Sequence, residues 1–286
     1  MSAVTNREVR ARAADTVRYQ FGRVVLLTLT AIGLPILLYL AGCWASMLGT
    51  ASSAISALAN YGANTYTDTI LASSLLAALT DIGVFAVLAI VVSLLLQVGY
   101  ARGLQKLGNG EAVKASVLLP HWKHILGCLG LPLWVGVKTL AWGVPGFLVQ
   151  TLGALLGDGG AGTFVSILGD ILYYALVIPA SLRYALAIHA FADNPEVGVF
   201  DAVETSKAMM RYRKWQLFCL TLPYALIIIA VWVGYIVFVA LGAAWASTAL
   251  GAWLIVVLLL AAIATTAYMG MKSAVAVACY YNAHKE

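Results

Sequence analysis

The chain has 286 residues, of which 62% are hydrophobic and only 10% charged, and its mean hydropathy is +0.92. Soluble domains carry about 25% charged residues, so a water-soluble globule of this size would have too little polar surface to cover so much apolar side chain. Apolar runs of about 20 residues, continuous rather than alternating at period two, argue against an outer-membrane barrel and predict an all-α polytopic membrane protein. The net charge of +5 suits loops beside anionic lipid better than a nucleic-acid partner.

Residues 5–23 are too charged to span a bilayer. Thr5, followed three residues later by Glu8, has the form of a capping box. Val9, Ala13, Val17 and Phe21 recur every four residues, while Arg7, Arg10, Arg12 and Arg18 occupy the other faces. The pattern predicts an amphipathic helix with two open placements. It can lie on the membrane surface with arginines toward lipid phosphates, or pack on the protein's own loops.

Residues 24–47 form the first predicted span, with Pro35 as a kink site. Leu40-Ala41-Gly42-Cys43 has the form of a lipoprotein cleavage box, but the long charged helix ahead of it is unlike a signal peptide, so an intact first helix is expected. Segments 51–60 and 70–79 read as short helices at the outer surface. The second span is placed at 81–100, with an earlier start near Ile70 as the alternative. Spans at 125–149, 164–186, 216–241 and 252–274 follow. The third contains Pro132, Pro145 and Lys138. The glycine-rich stretch 150–163 between the third and fourth lacks the ending of a phosphate-binding loop and reads as a flexible outer loop.

Six spans put both termini on one side. The segments on that side hold 14 of the 17 Lys and Arg residues, and the three opposite loops hold none. By the positive-inside rule this predicts cytoplasmic N- and C-termini. Trp44, Trp245 and Trp253 fall at outer ends and Trp122 and Trp215 at inner ends, as interfacial anchors do.

Charges inside spans are the usual functional pointers. Lys138 lies 13 residues from Ile125 and Asp170 six residues into the next span, so a Lys138–Asp170 pair in the outer half is expected. It would serve as a structural clasp or as part of a polar solute or proton path. Cys43, Cys128, Cys219 and Cys279 have no CxxC spacing, and the pair His121 and His124 lacks a third ligand, so neither a disulfide, a metal site nor a cofactor is read. Ser206-Lys207 are adjacent in sequence and would not face each other on a helix. Gly99-x-x-x-Gly103, Ala240-x-x-x-Ala244 and Gly270-x-x-x-Ala274 permit close helix approach within the chain.

The most distinctive stretch is 192–215, a cytoplasmic helical connector between spans four and five. Asn194 before Pro195 reads as a helix start, with Asp193, Glu196, Asp201 and Glu204 near it. Its end is basic. Lys207, Arg211, Arg213 and Lys214, together with Arg7, Arg10 and Arg18, are the candidate contacts to anionic phospholipid.

Arg183-Tyr184-Ala185-Leu186-Ala187, Asp193-Asn194-Pro195, Ser206-Lys207, Met209-Met210 and Lys214-Trp215-x-Leu217-Phe218 together resemble the bacterial integral-membrane family catalogued as domain of unknown function 975. The basic N-terminal helix, Gly99…Arg102 and Trp142-x-x-Pro145-Gly146 are similar in kind. Arg211-Tyr212 and Thr221-Leu222-Pro223-Tyr224 depart from the family's pattern. The resemblance implies a six-helix protein of a bacterial cytoplasmic membrane and supplies no reaction. With no catalytic constellation, the sequence points to a non-enzymatic accessory component of an envelope or transport complex, with a membrane-protein partner. The alternative is a small-solute transporter or channel with a polar path near Lys138 and Asp170.

Overall fold

The computed structural model describes residues 5–59, 67–119, 124–157, 159–241 and 249–285. Among these residues all regular structure is helical. The helices are α1 (Asn6–Tyr19), α2 (Phe21–Thr28), α3 (Leu34–Ala59), α4 (Thr67–Gly108), α5 (Ile125–Leu155), α6 (Gly160–Tyr184), α7 (Ala187–Asp193), α8 (Val199–Met210), α9 (Lys214–Leu241) and α10 (Ala249–His284). A π-turn at Leu29–Gly33 joins α2 to α3, and 3-10 turns lie at Ala115–Leu118 and Pro195–Val197. Among the described residues six segments are long and apolar enough to cross a membrane, which fits a multi-pass membrane protein.

Three antiparallel hairpins, α3/α4, α5/α6 and α9/α10, carry the spans. They are joined at one end, here called the basic end. There α1, α2, α7 and α8 pack among the hairpin bases. The core cluster lies there: Val9, Ala13, Leu27, Leu104 and Leu107 meet Leu131, Phe191, Val203, Met210, Leu217, Leu220, Val275 and Tyr280. Away from this end the stems stand apart. The most apolar window of the span in α9 has none of its residues buried, and that in α10 only 6%.

Small residues let the stems of a hairpin touch. A Cβ on Gly146 would come 2.4 Å from the Tyr173 backbone, and one on Gly169 would come 2.4 Å from the Gln150 nitrogen. Gly42 packs against Phe85 in the same way between α3 and α4. Gly99 sits against the backbone of Leu118 and Gly103 against Leu27, so this pair serves packing within the chain.

Several boundaries differ from expectation. Segments 51–60 and 70–79 are not separate short helices. Residues 51–59 continue α3 and residues 70–79 belong to α4, whose 42 residues extend about 63 Å, twice the hydrocarbon thickness. Their Ala/Ser/Thr composition carries good helix formers alongside polar residues, so polarity there marks emergence from the bilayer rather than a break. The stretch 150–163 is mostly helix too: α5 runs to Leu155 and α6 starts at Gly160. Asp158, His121, Trp122, Lys123 and Trp245 lie outside the described residues.

The Thr5–Glu8 capping box is formed in both directions, and Val9, Ala13 and Val17 are buried as the four-residue spacing implies. Their partners are protein. α1 packs chiefly on α10, with further contacts to α4 and α9, so it lies against the bases of spanning helices rather than on the connecting loops. Phe21 leaves the stripe, because the helix breaks at Gln20 and Phe21 starts α2, half exposed.

Candidate functional site

The connector from α6 to α9 folds back into the bundle. α7 is largely buried: Ala187, His189, Ala190, Phe191 and Ala192 all face inward. Asn194 then caps the 3-10 turn through its side chain, which accepts from the Glu196 amide at 3.3 Å, with Pro195 in the first position as expected. Gly198 takes φ +88°, a left-handed conformation that glycine adopts without strain, and turns the chain into α8. Asp193 does not serve a following helix. It ends α7, where Lys285 Nζ lies 3.2 Å from one of its oxygens.

α8 is tied down at its middle and its start. Ser206 donates from Oγ to the Arg183 carbonyl at 3.0 Å, and Phe200 meets Trp134 of α5 edge-to-face at 5.4 Å. Burial of Ala202, Val203, Ser206 and Met210 leaves the opposite face of α8 free. That free face, the end of α6 and the start of α9 enclose a pocket of about 490 Å³ lined by Arg183, Glu204, Lys207, Ala208, Arg211 and Lys214. Four cationic side chains share it with one carboxylate. Lys207 bonds Glu204 one helical turn away. That hydrogen bond holds the Glu204 carboxyl below the usual carboxylate range, and the charges of Lys138 and Arg183 add to the effect.

A second, narrower groove of about 140 Å³ adjoins it, lined by Trp142, Ala175, Leu176, Pro179 and Ala180. Arg183 and Lys214 line both spaces. An apolar groove on the stem side and an open basic pocket at the base are thus neighbours across these two side chains.

The expected Lys138–Asp170 pair is not formed. Asp170 accepts a hydrogen bond from Gln150 Nε2 at 2.8 Å, and Lys138 Nζ lies over the Trp134 ring at 4.9 Å. The hairpin register is the reason. Gly146 faces Tyr173 and Gly169 faces Gln150, so Lys138 is level with Ser181 and Asp170 with Val149. The two charges are thus about 17 Å apart along the helix axis. Depth counted from Ile125 fails because α8 lies alongside α5 rather than beyond its end. Lys138 belongs with the charges around Glu204.

The seven basic candidates divide. Lys207, Arg211 and Lys214 line the pocket, while Arg213 does not. Arg211 also lies over the Tyr212 ring at 5.6 Å. Arg7 and Arg18 are exposed on α1. Arg10 is turned inward: its guanidinium donates to the Cys219 carbonyl at 2.6 Å, so it is a structural residue rather than a surface contact. The sequence marked Arg183 only as part of the family resemblance and Glu204 only as an acid near a helix start. Their signal was position: Arg183 closes one span and Lys214 opens the next, so a connector that folds back brings them together.

No family model matches the chain, no curated protein matches it, and no solved structure matches it.

Proposed function

We propose that the protein is a non-enzymatic, membrane-embedded accessory component whose three hairpin stems accept a membrane-protein partner. The observation that carries this reading is the separation of the stems. The basic end is tightly packed, while the stems leave apolar faces and grooves between helices. One such groove, of about 320 Å³, lies between α9 and α10 and is lined by Val231, Gly234, Tyr235, Phe238, Leu258 and Ala261, among others. Helix association in a bilayer relies on close packing at small residues, and the exposed Gly234 and Ala261 offer that surface.

The charge distribution supports cytoplasmic N- and C-termini in a bacterial inner membrane, with the basic end at an anionic leaflet. The motif resemblance around residues 183–222 supports the same setting. The transporter alternative loses its common site, because Lys138 and Asp170 lie at different levels.

Affinity purification of the full chain in mild detergent tests the reading. A membrane protein recovered in fixed stoichiometry, and lost when Gly234→Leu and Ala261→Leu fill the α9–α10 groove, is the expected result. Solute flux through vesicles holding the purified chain alone, with no partner recovered, would sink it.

A further inference from the structure

The basic pocket and the apolar groove lie side by side and share Arg183 and Lys214, and that adjacency points to an occupant with a charged and an apolar part. We propose that they form one binding site for a single anionic phospholipid: the headgroup phosphate sits among Arg183, Arg211 and Lys214, beside the Lys207–Glu204 pair, and an acyl chain runs from there along α6. This rests on the membrane-embedded reading and not on the accessory role.

Charge complementarity is the first support. Four cations around one carboxylate repel one another, and a phosphodiester relieves that repulsion while arginine offers it paired donors. The one carboxylate is already engaged by Lys207, which leaves the other three cations for the ligand. A free phosphate would account for the basic chamber alone. It would not account for the apolar groove beside it, lined by Trp142 and Pro179. Leu168 and Leu172 continue the face of Leu176 and Ala175 at helical spacing and are exposed, so the path for a chain extends up the stem. Exposed Tyr212, in the turn before α9, and Trp215, at its start, are placed as interfacial aromatics at the headgroup level are.

The site is also built rather than accidental. The Ser206 bond to the Arg183 carbonyl fixes α8 against the end of α6, and so fixes the width of the chamber. It involves the backbone of Arg183, so changes to the arginine side chain leave it in place.

The test uses the full chain purified in mild detergent, offered equal amounts of phosphatidylglycerol and phosphatidylcholine, with bound lipid counted by native mass spectrometry. Wild type should retain phosphatidylglycerol preferentially. The pair Arg183→Gln and Lys214→Gln should lower that retention about tenfold, while Arg7→Gln with Arg18→Gln, an equal loss of charge elsewhere, should change it less than twofold. Ala175→Trp fills the groove without altering charge, keeps the test valid if the double variant folds poorly, and should give a similar loss. Equal retention of the two lipids, equal losses from both arginine-containing pairs, an unaffected Ala175→Trp variant, or displacement by inorganic phosphate as effective as by lipid would each overturn the proposal. Recovery of a protein partner is read separately, so failure of one idea does not carry the other.

Discussion

Arg10 donates a hydrogen bond to the carbonyl oxygen of Cys219, which is the acceptor that Pro223 leaves without a helical partner. In a regular helix the amide four residues on would bond that carbonyl; proline has none. The N-terminal helix is thereby fastened to α9 at its weakest point. Asn6 adds a second tie, donating from Nδ2 to the Gln216 carbonyl at 2.9 Å. Replacing Arg10 by Met should cost about 1.5–3 kcal/mol, the range for hydrogen bonds to charged groups. Pro223→Ala restores an amide for Cys219, so Arg10→Met should cost markedly less in that background. A double-mutant cycle on unfolding in detergent measures the difference; strictly additive losses would count against the pairing.

The sequence carried much of the architecture and little of the site. Composition and run length sufficed for class and span number, because bilayer thickness imposes them on any helical chain. The stripe Val9, Ala13, Val17 was legible as a buried face, but not what covers it: lipid and the bases of α9 and α10 present the same apolar demand. Lys138 was misjudged in depth because α8 re-enters beside α5, and re-entry of a connector has no periodic signature. Arg183 and Glu204 gained meaning only when Ser206 brought two distant segments together.

The α5/α6 register depends on backbones in near contact. Gly146→Ala would press a Cβ to 2.4 Å from the Tyr173 backbone, which cannot move aside as a flexible side chain can. A loss of about 1–3 kcal/mol is expected, as for other overpacking changes. Gly136 lies in the same helix with nothing within 4 Å of its notional Cβ. Gly136→Ala should therefore be neutral or stabilising by about 1 kcal/mol through helix propensity. Thermal unfolding of the two variants side by side checks the contrast.

Lys138 and Asp170 should behave as strangers. Separated by about 17 Å along the axis and engaged with Trp134 and Gln150 respectively, they share no partner. The stability changes of Lys138→Met and Asp170→Asn should add to within about 0.5 kcal/mol in the double variant. A larger coupling would restore the ion pair.

Glu204 sets the pH behaviour of the basic pocket. Its carboxyl is held below the usual carboxylate range by the Lys207 hydrogen bond, with the charges of Lys138 and Arg183 adding. The sign follows from linkage. A depressed carboxylate contributes to folding fully above its unfolded pKa, and the contribution is lost as pH falls through the lower folded value. For binding, protonation deletes the pocket's one negative charge. Retention of phosphatidylglycerol should therefore stay level from about pH 7 to pH 5 and rise only on further acidification, below the ordinary glutamate range. Glu204→Gln removes the charge at every pH, so that variant should retain more lipid at neutral pH and show no rise on acidification. Lipid retention measured across this range at constant ionic strength decides the matter. A rise centred near pH 6.5 would place the titrating group on a histidine instead and sever Glu204 from the effect.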